Sequence, residues 1–220
     1  MALNVEQRYR FVYKPIVFIA CLTPLVWLTG CGLGLFGWSL GPDPIKFTLH
    51  TIGKTALNML LITLVVTPVR QLAGWTHVVR IRRMLGLFAF FYTLLHFTIY
   101  LVLDQGLDYM SVLKDIGKRP YITIGFAALL ILIPLAVTST NKMMRRLGRR
   151  WQTLHRWVYV AAILGVWHYY WQVKKDVREP LVYAGILTVL LGYRFVRSQL
   201  RKRQQKATSP SGSATAPERT

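Results

Sequence analysis

Acidic residues and cysteines are scarce in this chain. Of its 220 residues, 8 are Asp or Glu, 28 are Lys or Arg, and 2 are cysteine. Cys21 and Cys31 form neither the Cys-x-x-Cys-His motif that attaches c-type haem nor a spacing typical of zinc sites. The sequence therefore excludes covalent haem attachment and a cysteine-based zinc site, and we expect both cysteines to be packing residues.

Long apolar runs dominate the rest of the sequence. Hydrophobic residues make up 53% of the chain although the formal net charge is +20, a combination that excludes an ordinary soluble domain. Six runs have the roughly 20 residues that a helix needs to cross a bilayer. They cover residues 16–38, 51–69, 84–103, 120–138, 152–171 and 180–196. The pattern predicts an all-α polytopic membrane bundle of six transmembrane helices.

The organisation that follows from these runs is simple. We expect one transmembrane domain over residues 16–200, preceded by a short cytoplasmic segment over residues 1–15. The end of the chain is rich in Ser, Ala, Pro and Thr, which predicts a disordered cytoplasmic tail over residues 201–220.

The basic residues are distributed unequally between the two sides of the predicted bundle. Segments 1–15, 70–83, 141–156 and 194–220 hold 20 of the 28 Lys and Arg residues, whereas the opposite side holds six of the eight acids. The positive-inside rule then predicts that both termini are cytoplasmic. Because these charges flank membrane spans beside an anionic leaflet, the sequence does not favour nucleic-acid binding.

Three histidines lie inside the apolar runs. These are His96 in the third run, and His155 and His168 in the fifth. An ionisable side chain within a bilayer is costly and usually faces the interior of the bundle. Since imidazole is also a common axial ligand of haem iron, the working hypothesis is a membrane b-type cytochrome.

The depths of the histidines suggest how they would pair. His96 lies about 20 Å along its helix from Arg83, and His168 lies about 20 Å beyond His155, at about 1.5 Å per residue. We therefore expect His96 and His168 to share an outer level and to bind one haem iron. On an ideal helix the side chains of His155 and His168 point roughly 140° apart. We therefore expect His155 to belong to a separate inner site, opposite Arg82 and Arg83. For His155 a role at the lipid boundary remains open.

The other two histidines carry weaker expectations. His50, at the outer start of the second run, is expected to cap a helix or bond to a loop, and His77 is expected to be solvated.

Several segments together resemble a known family. They are GPDPIKF, HTIGKTAL, RRMLGLFAFFYTLLH, KRPYITIG and AVTSTNKMMRRLGRRWQTLHRWVYVAAILGVWHYYW. These closely resemble the MsrQ (YedZ) family of the ferric-reductase-like transmembrane superfamily, and the resemblance covers residues 16 to about 200.

The resemblance implies a function that composition alone does not. Members of that family are haem-binding subunits in the bacterial inner membrane. They carry electrons from the cytoplasmic side or the quinone pool, through one or two b haems, to a periplasmic molybdopterin-containing methionine sulfoxide reductase that repairs oxidised proteins. FMN is also associated with the family, so both heme b and FMN are expected cofactors.

Two departures from the wider superfamily affect these expectations. Where related oxidases carry a histidine thirteen residues before the outer ligand, this chain has Arg83. Arg82 or Arg83 could hold haem propionates, pair with a flavin phosphate or flank an unusual iron site. The chain also ends about twenty residues after the last run, so we expect no flavin and nicotinamide domain, and a quinol or a cytoplasmic flavin reductase as donor.

The resulting prediction is an electron-transfer subunit that is not catalytic alone. A quinone-linked cytochrome b or a ferric reductase is the alternative with similar chemistry. A proton-coupled transporter with a histidine relay is the alternative of a different class.

Overall fold

The computed structural model describes residues 5–37, 39–75, 78–173 and 176–208, so His77 and residues 209–220 lie outside the described part. Within these described ranges, ten α-helices follow one another. They are α1 (Val5–Arg8), α2 (Lys14–Gly32), α3 (Pro44–Ala73), α4 (Val78–Ile99), α5 (Tyr109–Lys118), α6 (Pro120–Val137), α7 (Asn141–Leu147), α8 (Arg149–His155), α9 (Trp157–Gln172) and α10 (Arg178–Thr208). Two π-helical turns, Tyr9–Tyr13 and Tyr100–Asp104, and a short 3₁₀ turn, Leu35–Gly37, join them. No strand occurs in these ranges, which confirms the all-α fold.

Five helices in the described ranges are long and apolar enough to cross a membrane. They are Phe11–Gly32, Pro44–Ala73, Arg80–Asp104, Pro120–Val137 and Arg178–Gln205. The predicted run 152–171 is instead divided between α8 and α9, and α9 has only 16 residues. Arg156, between them, keeps helical backbone angles (φ −68°, ψ −24°), so the two helices follow one another without a loop. The multi-pass bundle is confirmed, whereas the sixth span stays a prediction.

The ends of the helices differ from the apolar runs because local backbone chemistry sets them. α2 ends at Gly32, before the predicted end at residue 38, and Gly34 and Gly37 follow it with φ of 66° and 73°. α3 starts earlier than its apolar run, because the Asp43 carboxylate accepts a hydrogen bond from the Lys46 amide at 3.1 Å. α10 continues past the predicted boundary at residue 200 as far as Thr208.

The third helix is the centre of the bundle. In its most apolar window 61% of the residues are buried, against 28% or less for the other four candidate spans. α3 packs along α4, α6 packs along α9, and α10 contacts α9 and α3. Cys21 and Cys31 are buried free thiols, as the sequence predicts for packing residues.

Candidate functional site

The two helix pairs α3–α4 and α6–α9 bring His96 and His168 together. His96 is on α4 and His168 on α9, and the centroids of their rings are 6.1 Å apart with the ring planes at 78°. Both residues are half-buried, because their rings face a cavity. The two histidines that the sequence analysis assigned to one depth thus lie in one site.

A backbone carbonyl holds each of the two rings. Nδ1 of His96 lies 3.0 Å from the Leu49 carbonyl oxygen, and Nδ1 of His168 lies 2.7 Å from the Tyr121 carbonyl oxygen. A carbonyl can only accept, so each Nδ1 carries the proton and each Nε2 keeps its lone pair. This is the tautomer and the outer-shell support of a metal-binding histidine.

Glycines on the facing helices make room for the rings. A Cβ atom on Gly53 would lie 3.1 Å from Cε1 of His96, and one on Gly125 would lie 2.7 Å from Nδ1 of His168. Any larger residue at Gly125 would therefore have to displace the ring. α3 and α6 each approach one histidine at a point where they carry no side chain.

The two halves of the site are built in the same way. Each histidine bonds to the carbonyl 47 residues before it, and each glycine lies one helical turn after that carbonyl. The sequence analysis found the histidines but missed Gly53 and Gly125. The sequence contained a signal for these glycines, because Gly53 precedes His96 by the same number of residues as Gly125 precedes His168.

The cavity between the four helices has a volume of about 1350 Å³. Its wall includes His96, His168 and both glycines, and apolar residues such as Leu60 and Leu132 line it more deeply. Charged residues, among them Lys46 and Asp176, lie at its rim. The cavity is therefore large, mostly apolar and bordered by polar groups, as is typical of cofactor sites.

The chemistry of the histidine pair fits a metal-containing cofactor. Each ring keeps the Nε2 lone pair that a metal requires, because its Nδ1 is bonded to a carbonyl, and the ring centroids are 6.1 Å apart. No group of three or more His, Cys, Asp or Glu side chains gathers within the described ranges. A porphyrin, which supplies its own equatorial ligands, fits this pair better than a bare ion.

Interlocked polar contacts form the outer rim of the cavity. Lys54 and Glu179 form an ion pair, and the Tyr169 hydroxyl donates to the same carboxylate. Arg119 pairs with Asp115 at 3.2 Å. Hydrogen bonding to the Tyr121 side chain, together with the charge of Asp115, raises the pKa of the Arg119 guanidinium. The rim thus keeps several cations in place beside the cavity.

His50 also lies at this rim and lines the cavity. Its Nε2 is 2.7 Å from the Gln172 side-chain amide, so it links α3 to the end of α9. This contact joins two helices, whereas the sequence predicted a helix cap or a bond to a loop for His50.

His155 lies apart from the outer pair and does not line the cavity. Its Nδ1 is 3.1 Å from the Trp151 carbonyl, its Nε2 is 3.4 Å from the Ser139 hydroxyl, and its ring stacks on Trp151 at 3.9 Å. Both ring nitrogens therefore have neighbours within the protein. No second histidine accompanies it in the contacts of the described residues.

Arg82 and Arg83 face different surroundings. Arg83 donates to the Asn141 side chain and approaches the Met144 sulfur at 3.7 Å, so it ties α4 to α7. Arg82 is half-buried and lies near the Tyr159 side chain and Arg194. The sequence analysis treated the two arginines as equivalent, and the structure separates them.

Several aromatic residues line the cavity. Tyr169 and Trp171 line it, and Phe97, Tyr100, Tyr121 and Phe126 do so as well. Phe88, Phe91 and Tyr92 instead form an aromatic cluster that Phe18 of α2 joins. Their role is packing between α2 and α4.

Comparisons with known proteins identify the family of this chain. The profile of the family described as "Ferric reductase like transmembrane component" matches residues 52–166. This range includes Gly53, His96, Tyr121 and Gly125 of the site but ends before His168 and begins after Leu49. A protein-methionine-sulfoxide reductase heme-binding subunit MsrQ from Rhodospirillum rubrum is 53% identical over 194 residues, covering 88% of this chain and 92% of the relative.

Two further relatives carry the same name. The protein from Xanthomonas axonopodis pv. citri is 48% identical over 203 residues, covering 88% of this chain and 90% of the relative. The protein from Ralstonia nicotianae is 54% identical over 157 residues, covering 70% and 72%. With this identity over most of its length, the chain belongs to the MsrQ family of ferric-reductase-like transmembrane proteins.

Proposed function

We propose that this chain is a b-type cytochrome of the bacterial inner membrane that delivers electrons to a periplasmic methionine sulfoxide reductase. The observation that carries the proposal is the His96–His168 pair, with its 6.1 Å ring separation and its two Nδ1 atoms bonded to backbone carbonyls. The names of the relatives, heme-binding subunits of protein-methionine-sulfoxide reductases, support the same assignment.

His96 and His168 would hold heme b through their Nε2 atoms. When bound, the haem would supply one-electron redox chemistry. The protein contributes the fixed tautomers, the glycine contacts that fix the ring positions, and an apolar wall that lowers the local dielectric. The chain would be an electron-transfer subunit that is not catalytic by itself.

The outer position of the pair supports electron exit on the periplasmic side. The cavity wall reaches Asp43, Asp104 and Asp176, which are in segments that the charge distribution assigns to the outside. An acceptor with a molybdopterin active site, as the family resemblance implies, would dock at this end. Both termini would then be cytoplasmic.

The inner side would receive electrons from the quinone pool or from a cytoplasmic flavin reductase. His155 and Trp151 form a stacked pair at that end of α8, which favours an inner redox role for this region. A second haem would need a ligand in addition to His155, and FMN would need Arg82 or Arg83 for its phosphate, so both cofactors stay predictions.

Replacing the two histidines tests the proposal. His96→Ala and His168→Ala, each purified in detergent, are expected to lose most of the b-type Soret absorbance. His50→Ala, which removes a histidine from the same cavity without touching the pair, is the matched control and is expected to keep it. His155→Ala is expected to keep the outer-site spectrum and to slow reduction by reductant supplied only from inside.

Wild-type haem content in both His96→Ala and His168→Ala would refute the ligand assignment. A purified wild-type protein without any Soret band would instead favour a histidine relay for protons. In spheroplasts with internal reducing power, sulfoxide reduction that proceeds equally well without this chain would refute the proposed partner.

A further inference from the structure

The charged residues of the cavity wall all lie at its outer end. They come from the first turns of α3, from the segments on either side of α5 and from the start of α10. The deeper wall is apolar and includes Leu57, Leu60 and Leu129, and neither Arg82 nor Arg83 is part of it. A buried carboxylate without a partner is costly. The two propionate carboxylates of a haem held by the histidine pair would therefore face the outer end.

Two helices begin at this outer end of the cavity. α3 begins at Pro44 and α6 at Pro120, and the two helices supply the Leu49 and Tyr121 carbonyls that hold the rings. The free N–H groups and the dipole at a helix N-terminus favour a negative charge nearby. α6 also begins without a side-chain cap. The backbone on both sides of the outer end thus favours an anion such as a carboxylate.

Each of these helix starts carries a cation that lines the cavity. Lys46 is in the first turn of α3, three residues before Leu49, and Arg119 directly precedes Pro120 of α6, two residues before Tyr121. The helix dipole disfavours a cation in the first turn. An anion bound beside the cation and the helix start would remove this cost.

The two cations differ from the third cation of the wall in the donors that they have left. The Lys46 ammonium makes no ion pair among the described residues, whereas Lys54 is held by Glu179. Arg119 pairs with Asp115 at 3.2 Å, but a guanidinium has several N–H donors and this pair does not use all of them. Lys46 and Arg119 can therefore both bind a further carboxylate.

The acids of the outer end have donors of their own. Asp104 accepts from the Gln105 side chain and Asp176 from the Arg178 amide, each at 3.0 Å. The Asp43 carboxylate caps α3 through a backbone amide. None of these three contacts uses a side-chain cation of the cavity wall, so the acids leave the two cations available to a ligand.

We propose that Lys46 and Arg119 bind the two propionate carboxylates of the haem, one cation from each helix pair. Ion pairs of this kind fix which edge of the porphyrin faces the periplasmic side. The proposal rests on the proposed function, because it needs a haem held by the histidine pair. It places the propionates at the outer end, in contrast to the inner placement that Arg82 or Arg83 would give.

Release of haem from the full-length protein tests these contacts. The protein is reconstituted with iron protoporphyrin IX or with its dimethyl ester, in which both carboxylates are uncharged, and transfer to excess apomyoglobin gives each release rate. Lys46→Gln and Arg119→Gln are each expected to speed release of the free acid by about 2- to 5-fold, the range of an exposed ion pair. Release of the ester is expected to stay at the wild-type rate, and added salt should reduce the difference between the two haems.

Two further variants are controls. Lys118→Gln removes a neighbouring exposed cation that does not line the cavity, and it is expected to release both haems as the wild type does. Arg119→Lys keeps the positive charge and is expected to keep most of the slow release of the free acid. If Arg119→Gln does not fold, Lys46→Gln alone decides, because Lys46 has no ion pair to lose among the described residues.

Three results would overturn the proposal. Faster release of both haems by the same factor would show that the two side chains act on the fold and not on the carboxylates. Unchanged release of the free acid in both glutamine variants would remove the contact altogether. A selective loss in Arg83→Gln with none in Lys46→Gln would turn the propionates inward. Failure of the cytochrome function is distinguishable, since a protein that takes up neither haem shows no Soret band with either of them.

Discussion

Main-chain groups and glycines, and no charged side chains, position the His96 and His168 rings. The Leu49 carbonyl accepts from Nδ1 of His96 at 3.0 Å, and the Tyr121 carbonyl accepts from Nδ1 of His168 at 2.7 Å. A carbonyl cannot change its protonation state, so it fixes the Nδ1–H tautomer at every pH at which the ring is neutral. This makes the ligand geometry independent of the charged rim.

Substitution of the two site glycines tests how the histidine rings are positioned. Gly125→Ala would put a Cβ atom 2.7 Å from Nδ1 of His168, whereas Gly53→Ala would put one 3.1 Å from Cε1 of His96. Overpacking of this kind costs about 1–3 kcal/mol, which corresponds to roughly 5- to 150-fold in haem affinity. We expect the larger loss for Gly125→Ala, measured by haem titration of the apoprotein.

The chain offers a control for helix propensity. Gly185→Ala is also a helical substitution, on α10, and its Cβ would meet nothing within 4 Å. It is expected to bind haem as the wild type does. Equal haem affinity in Gly125→Ala and Gly185→Ala would contradict the ring-packing argument.

At the scale of elements, short polar signals determine where the helices start and end. The Asp43 side chain starts α3, Gly74 with φ 70° ends it, and Asp108 starts α5. These residues are outside the apolar runs, so hydropathy alone places the boundaries several residues away from their true positions. The cap of α3 matters for function because Asp43 itself lines the cavity.

Acid should loosen the start of α5. The Asp108 carboxylate accepts from the Met110 and Ser111 amides at 3.0 and 3.1 Å and from the Ser111 hydroxyl at 2.7 Å. The hydrogen bond from the Ser111 hydroxyl, followed by that from its amide, lowers the Asp108 pKa below its usual value. The stabilisation is therefore complete above the usual pKa of about 3.9 and is lost as the pH falls through the lowered pKa.

Hydrogen exchange measures this loss. Corrected for intrinsic rates, the first turn of α5 is expected to lose protection as the pH is lowered through that range. Asp108→Asn keeps an N-cap acceptor but does not titrate, so its protection should not respond to acid in the same way. An identical acid response in Asp108→Asn would show that another group is responsible.

At the scale of the molecule, charge asymmetry gives the bundle its orientation. Most of the 28 basic residues lie at one end of the helices, whereas the acids that make ion pairs, Asp115 and Glu179, lie at the other end. The basic end is expected to face the cytoplasm.

Cysteine labelling tests this orientation. Both native cysteines are buried, so a single surface cysteine can be introduced into the natural chain. In intact cells a membrane-impermeant maleimide is expected to label Lys114→Cys on α5 but to leave Lys142→Cys on α7 unlabelled until the membrane is opened. The reverse pattern would invert the topology and, with it, the direction of electron flow.

Docking of a periplasmic partner is a second prediction at this scale. Of the outer acids, Asp115 is bound to Tyr100 and Arg119 with its side chain 16% exposed, and Asp108 caps α5. Reversing either charge would disturb the fold, so exposed Asp104 is the better test of docking alone. If docking is electrostatic, Asp104→Lys should raise the KM for the reductase several-fold at low salt, and added salt should reduce the difference. Asp104→Asn is the milder comparison, and a salt-independent effect of both variants would argue against steering by charge.

The sequence by itself determined the class of the protein, the approximate spans and the two histidines that come together. These follow from properties that do not depend on long-range packing: about 20 apolar residues per span, the excess of basic residues on one side, and the rise of about 1.5 Å per residue that put His96 and His168 at one depth. The family followed from sequence as well, because the matching segments are long and specific.

Only the tertiary structure decided which partners each residue has. Gly53, Gly125 and the two carbonyls join the histidines because α3 lies along α4 and α6 along α9, a pairing that no local pattern encodes. Arg82 and Arg83 are adjacent in sequence, yet a turn of about 100° per residue on one helix directs them to Tyr159 and to Asn141. Arg194 was only one more basic residue at the end of a span, and the packing of α10 against α9 and α3 gave it an inward position. Contacts between residues far apart in sequence depend on how helices pack, and that is fixed by the whole set of side chains at once.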